Sequence, residues 1–119
     1  MNWYIAKIVY QIICGSGKHT PQFDEQLRLI NAEDEMHAFN KARLLGEREE
    51  DRFLNNANKP VEWKFIDVAS LHIIDVEDGF EIESRIFEED SAKNYLSFLE
   101  AKAKLLHEDC LLKTFSFQN

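Results

Sequence analysis

The first strong pattern in the chain is an alternation of apolar residues from Trp3 to Ile13. Every second position on one face is apolar, and the run is rich in β-branched and aromatic residues, which predicts a β-strand. The other face of this strand is also more apolar than a solvated face, so we expect it to be covered. After a glycine-rich loop, the run from Phe23 to Ile30 predicts a second strand, antiparallel to the first.

Two later segments have the period of an α-helix. Asn31 is the candidate N-cap of the first helix and Gly46 its candidate terminator, while Asp90 or Ser91 caps the second. The tail, 111–117, is predicted as a short edge strand. Each helix has an apolar stripe that we expect to be buried: Met36, Phe39, Ala42 and Leu45 in the first, and Ala92, Tyr95, Leu96, Leu99, Ala103 and Leu106 in the second.

Between the two helices, the pattern predicts a polar linker and a hairpin. The linker covers 47–60, and the apolar run over 61–74 predicts a long strand with a bulge near 69–70. The sequence Glu-Asp-Gly at 77–79 predicts a tight turn with the glycine at positive φ. Strict alternation over 80–86 then predicts a fourth strand.

The two halves of the chain resemble each other. The segment Trp3-Tyr-Ile-Ala-Lys-Ile8 is similar to Trp63-Lys-Phe-Ile-Asp-Val68, and each half is predicted as strand, strand, helix. The predicted fold class is therefore α+β: a ββαββα chain of two ββα repeats, with an antiparallel sheet, two helices on one face, and the other face in a dimer interface. We predict a single domain over 1–119, with halves 1–46 and 61–119 on either side of the linker.

The amino-acid composition limits the classes of partner that we expect the protein to bind. The 119 residues include 14 basic and 22 acidic side chains, giving a formal net charge of −8 at pH 7, which opposes binding to nucleic acid. The two cysteines, Cys14 and Cys110, are too few for a disulfide framework and lack the spacing of a zinc site. The N-terminus lacks the pattern of a signal peptide, and no apolar run is long enough to span a membrane. We therefore expect a cytoplasmic protein with no nucleic-acid or membrane partner.

The stretch Cys14-Gly-Ser-Gly-Lys-His-Thr20 is similar to the end of a phosphate-binding loop. A loop of the GxxxxGK[ST] type needs a glycine where this chain has Ile12 and a hydroxyl where it has His19. It also needs a helix to start there, whereas Pro21 and a strand pattern follow. We interpret the stretch as a hairpin loop with an exposed lysine.

Other catalytic and metal-binding patterns are not found in the sequence. The four histidines form no HxxxH, HExxH or H-x-H pair, and neither cysteine has a base near it in the sequence. No GxSxG turn occurs. We therefore predict no catalytic residue, no metal and no cofactor, and we consider an enzyme less favoured than a binding protein.

One candidate binding site remains, a groove with an aromatic floor and cationic residues that contact an anion. Its predicted members share aromatic or cationic character: Trp3, Arg28, Trp63, Lys64 and Arg85. The alternative interpretation is that both tryptophans pack in the core or in an interface.

Four segments carry a family resemblance: Trp3-Tyr-x-Ala-Lys7, Glu25-Gln-x-Arg-Leu-Ile30, Trp63-Lys-Phe65 and Asp78-Gly-x-Glu-Ile-x-Ser-Arg85. Together they resemble the uncharacterised bacterial family called domain of unknown function 4288, over roughly residues 3–88. The resemblance implies a small bacterial protein with single-domain α+β architecture, and it carries no catalytic residue to this chain.

Three functions are compatible with these observations. The first is a non-enzymatic interaction module that acts as a homodimer. The second is a toxin-neutralising or regulatory partner protein, whose acidic surface covers a basic active site. The third is a domain that binds a small anionic ligand, or acts on it, through the tryptophan and arginine groove.

Overall fold

The computed structural model describes residues 1–117 and has α+β architecture. In chain order, its elements are β1 (Asn2–Cys14), β2 (Gln22–Ala32), α1 (Glu35–Arg48), β3 (Asp51–Leu54), β4 (Pro60–Ile74) and α2 (Ala92–Phe117). The chain divides into two compact units, Met1–Ile82 and Glu83–Asn119, and each is described by itself. The single domain over 1–119 stays a prediction.

The first unit contains one sheet of four strands in the order β2-β1-β4-β3, and all neighbours are antiparallel. The predicted strands β1, β2 and β4 are confirmed. β4 has two residues without a partner in β1, Ala69 and Ile66, at the two points where the register shifts. The first is the predicted bulge near 69–70. Such bulges bend a long strand and increase its twist.

The core lies between α1 and one face of the sheet. Tyr4, Ala6, Ile8 and Tyr10 of β1 are all buried, as the alternation predicts. The buried residues of α1 are small ones: Ala38, Ala42 and Gly46. The predicted stripe of α1 is therefore only partly right, because Ala42 is buried and Leu45 packs against the core, whereas Met36 is 67% exposed. Small residues on a helix allow its backbone to approach the sheet closely.

The ends of α1 differ from the prediction. The N-cap is Asp34, whose Oδ1 accepts a hydrogen bond of 2.8 Å from the backbone N–H of His37. The predicted cap, Asn31, is still part of β2 and pairs with Trp3. The helix also does not end at Gly46 but continues to Arg48, because this glycine faces the core instead of turning the chain.

The predicted linker, 47–60, contains the end of α1 and the strand β3, which pairs with the start of β4. The two strands are joined by a turn in which Asn55 Oδ1 accepts hydrogen bonds from the backbone N–H groups of Ala57 and Lys59, at 2.9 and 3.1 Å. Asn58 adopts a φ of 61°, which asparagine tolerates better than most residues. The asparagine-rich stretch is therefore a hairpin turn.

The predicted fourth strand, 80–86, is wrong. The turn before it forms, since Gly79 has a φ of 85° and the N–H of Phe80 donates to the carbonyl of Glu77 at 3.2 Å. Residues 75–91, however, contain neither helix nor strand, and Ile86 is 99% exposed. The order of strands and helices thus differs from the prediction, and the structure shows no ββα repeat in the second half.

The second unit contains the helix α2. Its predicted cap is confirmed at Ser91, whose Oγ accepts a hydrogen bond of 3.1 Å from the N–H of Asn94. The helix runs through 111–117, where an edge strand was predicted, so that prediction is wrong. Within residues 1–117, no helix is long and apolar enough to cross a membrane.

Candidate functional site

A cavity of about 500 Å³ opens on the α1 side of the sheet, where α1 ends and β3 begins. Its aromatic part is formed by Tyr10 together with Phe53 and Trp63, whose rings are stacked with centroids 5.9 Å apart and planes at 23°. We call this cavity the aromatic groove. Its complete lining comes from β1, β2, the end of α1, β3 and β4: Tyr10, Gln26, Arg28, Glu49, Glu50, Asp51, Phe53 and Trp63.

Strand alternation places a connected row of polar side chains beside these rings. Trp63 Nε1–H donates to Asp24 Oδ2 at 3.1 Å, and the side-chain amide of Gln26 donates to the same oxygen at 2.7 Å. Arg28 in turn donates to Gln26 Oε1 at 3.1 Å and forms a salt bridge of 2.6 Å with Glu49. The row joins β4 and β2 to the end of α1 and fixes the orientation of the indole ring.

Arg28 and Glu49 form a charged pair inside the groove. The hydrogen bond from Arg28 lowers the pKa of the Glu49 carboxyl, and the same bond raises the pKa of Arg28. A carboxylate at the C-terminal end of a helix is unfavourable next to the helix dipole, and the guanidinium offsets this. Arg28 is therefore already paired, and it is the one cationic side chain against three acidic ones in the lining, Glu49, Glu50 and Asp51.

The raised pKa of Tyr10 also indicates that negative charge prevails in the groove. It is raised mainly by burial, then by the negative charge of Glu49, with smaller increases from Glu50 and Asp24. Arg28 opposes these effects. The phenol at the inner end of the groove therefore stays protonated to higher pH than an exposed tyrosine.

The structure brings together two of the five predicted groove residues, Arg28 and Trp63. Trp3 lines a different cavity, of about 390 Å³, along β2 and α1; Arg28 lies between the two cavities and lines both. Lys64 is exposed, and alternation along β4 directs it to the sheet face opposite Trp63. Arg85 belongs to the unit Glu83–Asn119, where its guanidinium lies over the Phe87 ring at 4.7 Å.

Sequence reasoning missed six of the eight lining residues: Tyr10, Gln26, Glu49, Glu50, Asp51 and Phe53. Tyr10 was recognised only as a core position of β1. Phe53 was missed because β3 lies inside the predicted linker, and Glu49 because α1 was predicted to end at Gly46. The sequence offered only one signal for them, the acidic run from Glu47 to Asp51, which is typical of a solvated helix end.

The glycine-rich loop joins β1 to β2 as a hairpin, as predicted. Gly15 and Gly17 have positive φ angles of 58° and 79°, which glycine adopts without strain. The N–H of Gly15 donates to Pro60 O at 2.7 Å, that of Gly17 donates to Cys14 O at 3.0 Å, and that of His19 donates to Gly17 O at 3.0 Å. These amides are used inside the protein, so they do not form a phosphate cradle of the kind described for phosphate-binding loops.

No group of three or more histidine, cysteine, aspartate or glutamate side chains within residues 1–117 is arranged to hold a metal ion. Cys14 is half-buried and Cys110 is exposed, and both are free thiols.

Within residues 1–117, the exposed apolar side chains outside the groove include two extended surfaces. The first, which we call the outer sheet face, is the side of the sheet away from α1, where Trp3, Leu27 and Leu29 are exposed while Ile5 and Val9 are half-buried. The second is on α2, where every side chain from 96 to 116 is exposed. We call one apolar row of this helix, with steps of three and four residues, the α2 stripe: Leu96, Leu99, Ala103, Leu106 and Cys110.

Comparison with known proteins gives one match. A family model described as Domain of unknown function (DUF4288) matches residues 3–84, which confirms the resemblance predicted from the sequence. No curated protein and no solved structure matches the chain. The matched segment ends close to the boundary of the first compact unit, Met1–Ile82, and does not include α2.

Proposed function

The chain belongs to the DUF4288 family, and from this premise we propose that it is a non-enzymatic interaction module that acts as a homodimer through α2. The observation that carries the proposal is the exposed α2 stripe. A helix in water gains most of its stability from packing of its apolar face, and the leucines of this stripe are exposed by 46–63%. A partner that covers the stripe supplies the missing contact.

The family domain does not need α2 for its core. Its buried cluster is formed within Met1–Ile82, from β1, β2 and α1, with Leu45, Val68 and Leu71 packed against it. The α2 stripe is therefore an addition to a domain that already has its own packing. A helix that mediates oligomerisation is expected to have this arrangement.

The spacing of the stripe suits packing against another helix. Leu96, Leu99, Ala103, Leu106 and Cys110 follow one another at steps of three and four residues, the repeat of the a and d positions of a coiled coil. A second apolar row, Phe98, Leu105 and Leu112, lies on the other side of the helix, so it is not part of this contact.

Side-chain volumes favour an antiparallel pair of α2 helices. In an antiparallel pair centred between residues 104 and 105, Leu99 faces the partner's Cys110, and Leu106 faces the partner's Ala103. Each layer then combines one large and one small side chain, which fills the interface evenly. A parallel pair would instead set Ala103 against its own copy and leave a void, and it would set Lys113 against its own copy in the same stripe.

The charges along α2 favour the same direction. Its first half carries Lys93, Lys102 and Lys104 with Glu100, and its second half carries Glu108 and Asp109 with Lys113. An antiparallel pair places the more basic half of each helix beside the more acidic half of the other, and it also opposes the two helix dipoles.

The mass of the protein in solution tests this proposal. We expect light scattering at micromolar concentration to give twice the 14.0 kDa of one chain, and Leu106→Glu to give monomers. Leu29→Glu on the outer sheet face is the matched control, because the two leucines are equally exposed, at 62% and 63%. A monomeric unmutated protein contradicts the homodimer, and a dimer lost only in Leu29→Glu moves the interface to the outer sheet face.

We also propose a cytoplasmic location. Its support is that Cys14 and Cys110 are both free thiols, which is typical of a reducing compartment. Cell fractionation with an antibody against the protein tests this directly.

A further inference from the structure

The aromatic groove combines an electron-rich wall with an acidic rim. The stacked rings of Phe53 and Trp63 form the wall, and Phe53 is 45% exposed, so a ligand can reach it. The faces of such rings attract cations, most strongly when a tryptophan takes part. The hydrogen bond from Trp63 Nε1–H to Asp24 keeps the indole in place, so the wall is formed before any ligand binds.

The groove has unused negative charge. The 2.6 Å salt bridge of Arg28 with Glu49 neutralises both groups, which leaves the carboxylates of Glu50 and Asp51 in the lining. Asp51 accepts a hydrogen bond from the backbone N–H of Arg52, but no cationic side chain in the lining faces Glu50 or Asp51. This charge favours a cationic ligand, whereas the sequence analysis proposed that Arg28 and Arg85 contact an anion.

We propose that the aromatic groove binds the guanidinium group of an arginine residue on a partner protein. A guanidinium is planar, so it stacks on an aromatic face, and its fork of N–H groups matches carboxylates such as those of Glu50 and Asp51. A lysine ammonium is more strongly hydrated and lacks the planar face. A cavity of about 500 Å³ lies within the usual range for ligand sites and has ample room for one side chain.

This site is independent of the homodimer, because its residues belong to Met1–Ile82 and it does not include α2. It gives a chemical basis to the regulatory-partner function, in which an acidic protein covers a basic surface. The recognised feature of the partner would be one exposed arginine, which the groove encloses between its rings and its acidic rim.

Binding to the groove can be followed at the indole N–H of Trp63. The chain has two tryptophans, so Trp3→Phe leaves the indole N–H of Trp63 as the single indole signal in a ¹⁵N-resolved NMR spectrum. N-acetyl-arginine amide represents an arginine residue within a chain, and N-acetyl-citrulline amide is a neutral probe of the same shape. We expect a saturable shift of the Trp63 signal with the arginine probe and no shift with the citrulline probe.

Variants then locate the contact. Glu50→Gln and Asp51→Asn each remove one exposed charge and are expected to weaken binding roughly twofold to fivefold. Phe53→Leu removes the stacked ring, and we expect a loss of similar size. Glu47→Gln is the control, because Glu47 is an exposed acid of the same helix end that does not line the groove, and it should leave the affinity unchanged.

Four results would overturn the proposal. One is the absence of a Trp63 shift with the arginine probe at millimolar concentration. The second is a saturable shift with inorganic phosphate instead, which would mean that Arg28 leaves Glu49 to bind an anion. The third is binding that none of the three groove variants weakens. The fourth is binding of free L-arginine without binding of the blocked residue, which would assign the groove to a small molecule.

Discussion

Gly46 of α1 lies so close to Phe65 of β4 that a β-carbon on the glycine would overlap the phenyl ring. The glycine is inside the helix with a helical φ, so its role is to allow close packing and not to turn the chain. The groove is next to this contact, since Glu49 and Glu50 follow directly at the end of α1.

We predict that Gly46→Ala destabilises the protein although alanine is the better helix former. The gain in helix propensity is about 1 kcal/mol, while overpacking a tight contact costs about 1–3 kcal/mol. Urea unfolding of the variant measures the difference. Phe65→Leu in the same chain should restore part of the lost stability, because the smaller side chain makes room for the methyl group. A simple gain of about 1 kcal/mol in Gly46→Ala would show that the contact is not tight.

The phenol of Tyr10 stabilises the same helix end. Its hydroxyl donates a buried hydrogen bond of 2.8 Å to the carbonyl of Gly46, so Tyr10→Phe should lower the free energy of unfolding by about 1 kcal/mol at neutral pH. Its ring also packs edge-to-face against Phe65, with centroids 6.0 Å apart, and phenylalanine keeps that contact. Unfolding with denaturant at pH 7 measures the loss, and an unchanged midpoint would contradict the hydrogen bond.

The raised pKa of Tyr10 adds a dependence on alkaline pH. Because the folded state holds the phenolic proton more tightly than the unfolded state does, this stability is fully present below the ordinary tyrosine pKa of about 10 and is lost as the pH rises through the folded value. We therefore expect stability to fall more steeply above about pH 10 in the unmutated protein than in Tyr10→Phe. Parallel curves for the two proteins would contradict this.

The salt bridge between Arg28 and Glu49 is expected to have the opposite pH dependence, because its contribution to stability is lost at low pH. The pKa of Glu49 is lowered in the folded state, so its contribution is present above the ordinary carboxyl pKa and is lost as the pH falls through the folded value. Glu49→Gln should therefore lose less stability than the unmutated protein between neutral and acidic pH. Glu47→Gln, at an exposed position on the same helix, serves as the control and should keep the full acid dependence.

Local patterns predicted much of the first unit. The buried row of β1 and the bulge at Ala69 follow from alternation and its interruption, and the cap at Ser91 follows from residue type. Local patterns could not predict β3, because Asp51 and Arg52 have no apolar alternation and the strand forms by pairing with β4. Residues 80–86 show the opposite case. Their apolar alternation is clear and suits a strand, but it does not provide a neighbouring strand to pair with, and no strand forms there.

The candidate site was predicted less well than the fold. Arg28 and Trp63 were named as groove members because of their cationic and aromatic character, and the other lining residues were not. The sign of the groove could not be predicted, since it depends on Glu49 reaching Arg28 across two elements and on the hairpin that brings Phe53 to Trp63. Such contacts are set by tertiary packing and leave no mark on neighbouring residues in the sequence.

The direction of the proposed α2 pair can be read from cysteine chemistry. In the antiparallel pair, the two copies of Ala103 lie on the seam next to the symmetry axis, about 4.5 Å apart along it, whereas Cys110 faces the partner's Leu99 and is about 16 Å along the axis from its own copy. A short bismaleimide should therefore join two chains of Ala103→Cys in a background of Cys14→Ser and Cys110→Ser, and it should not join Cys14→Ser chains through Cys110. In a parallel pair, Cys110 would instead face its own copy. Efficient linkage through Cys110 in Cys14→Ser would thus reverse the direction of the helices while keeping the dimer, and no linkage of the Ala103→Cys chain would contradict the pair.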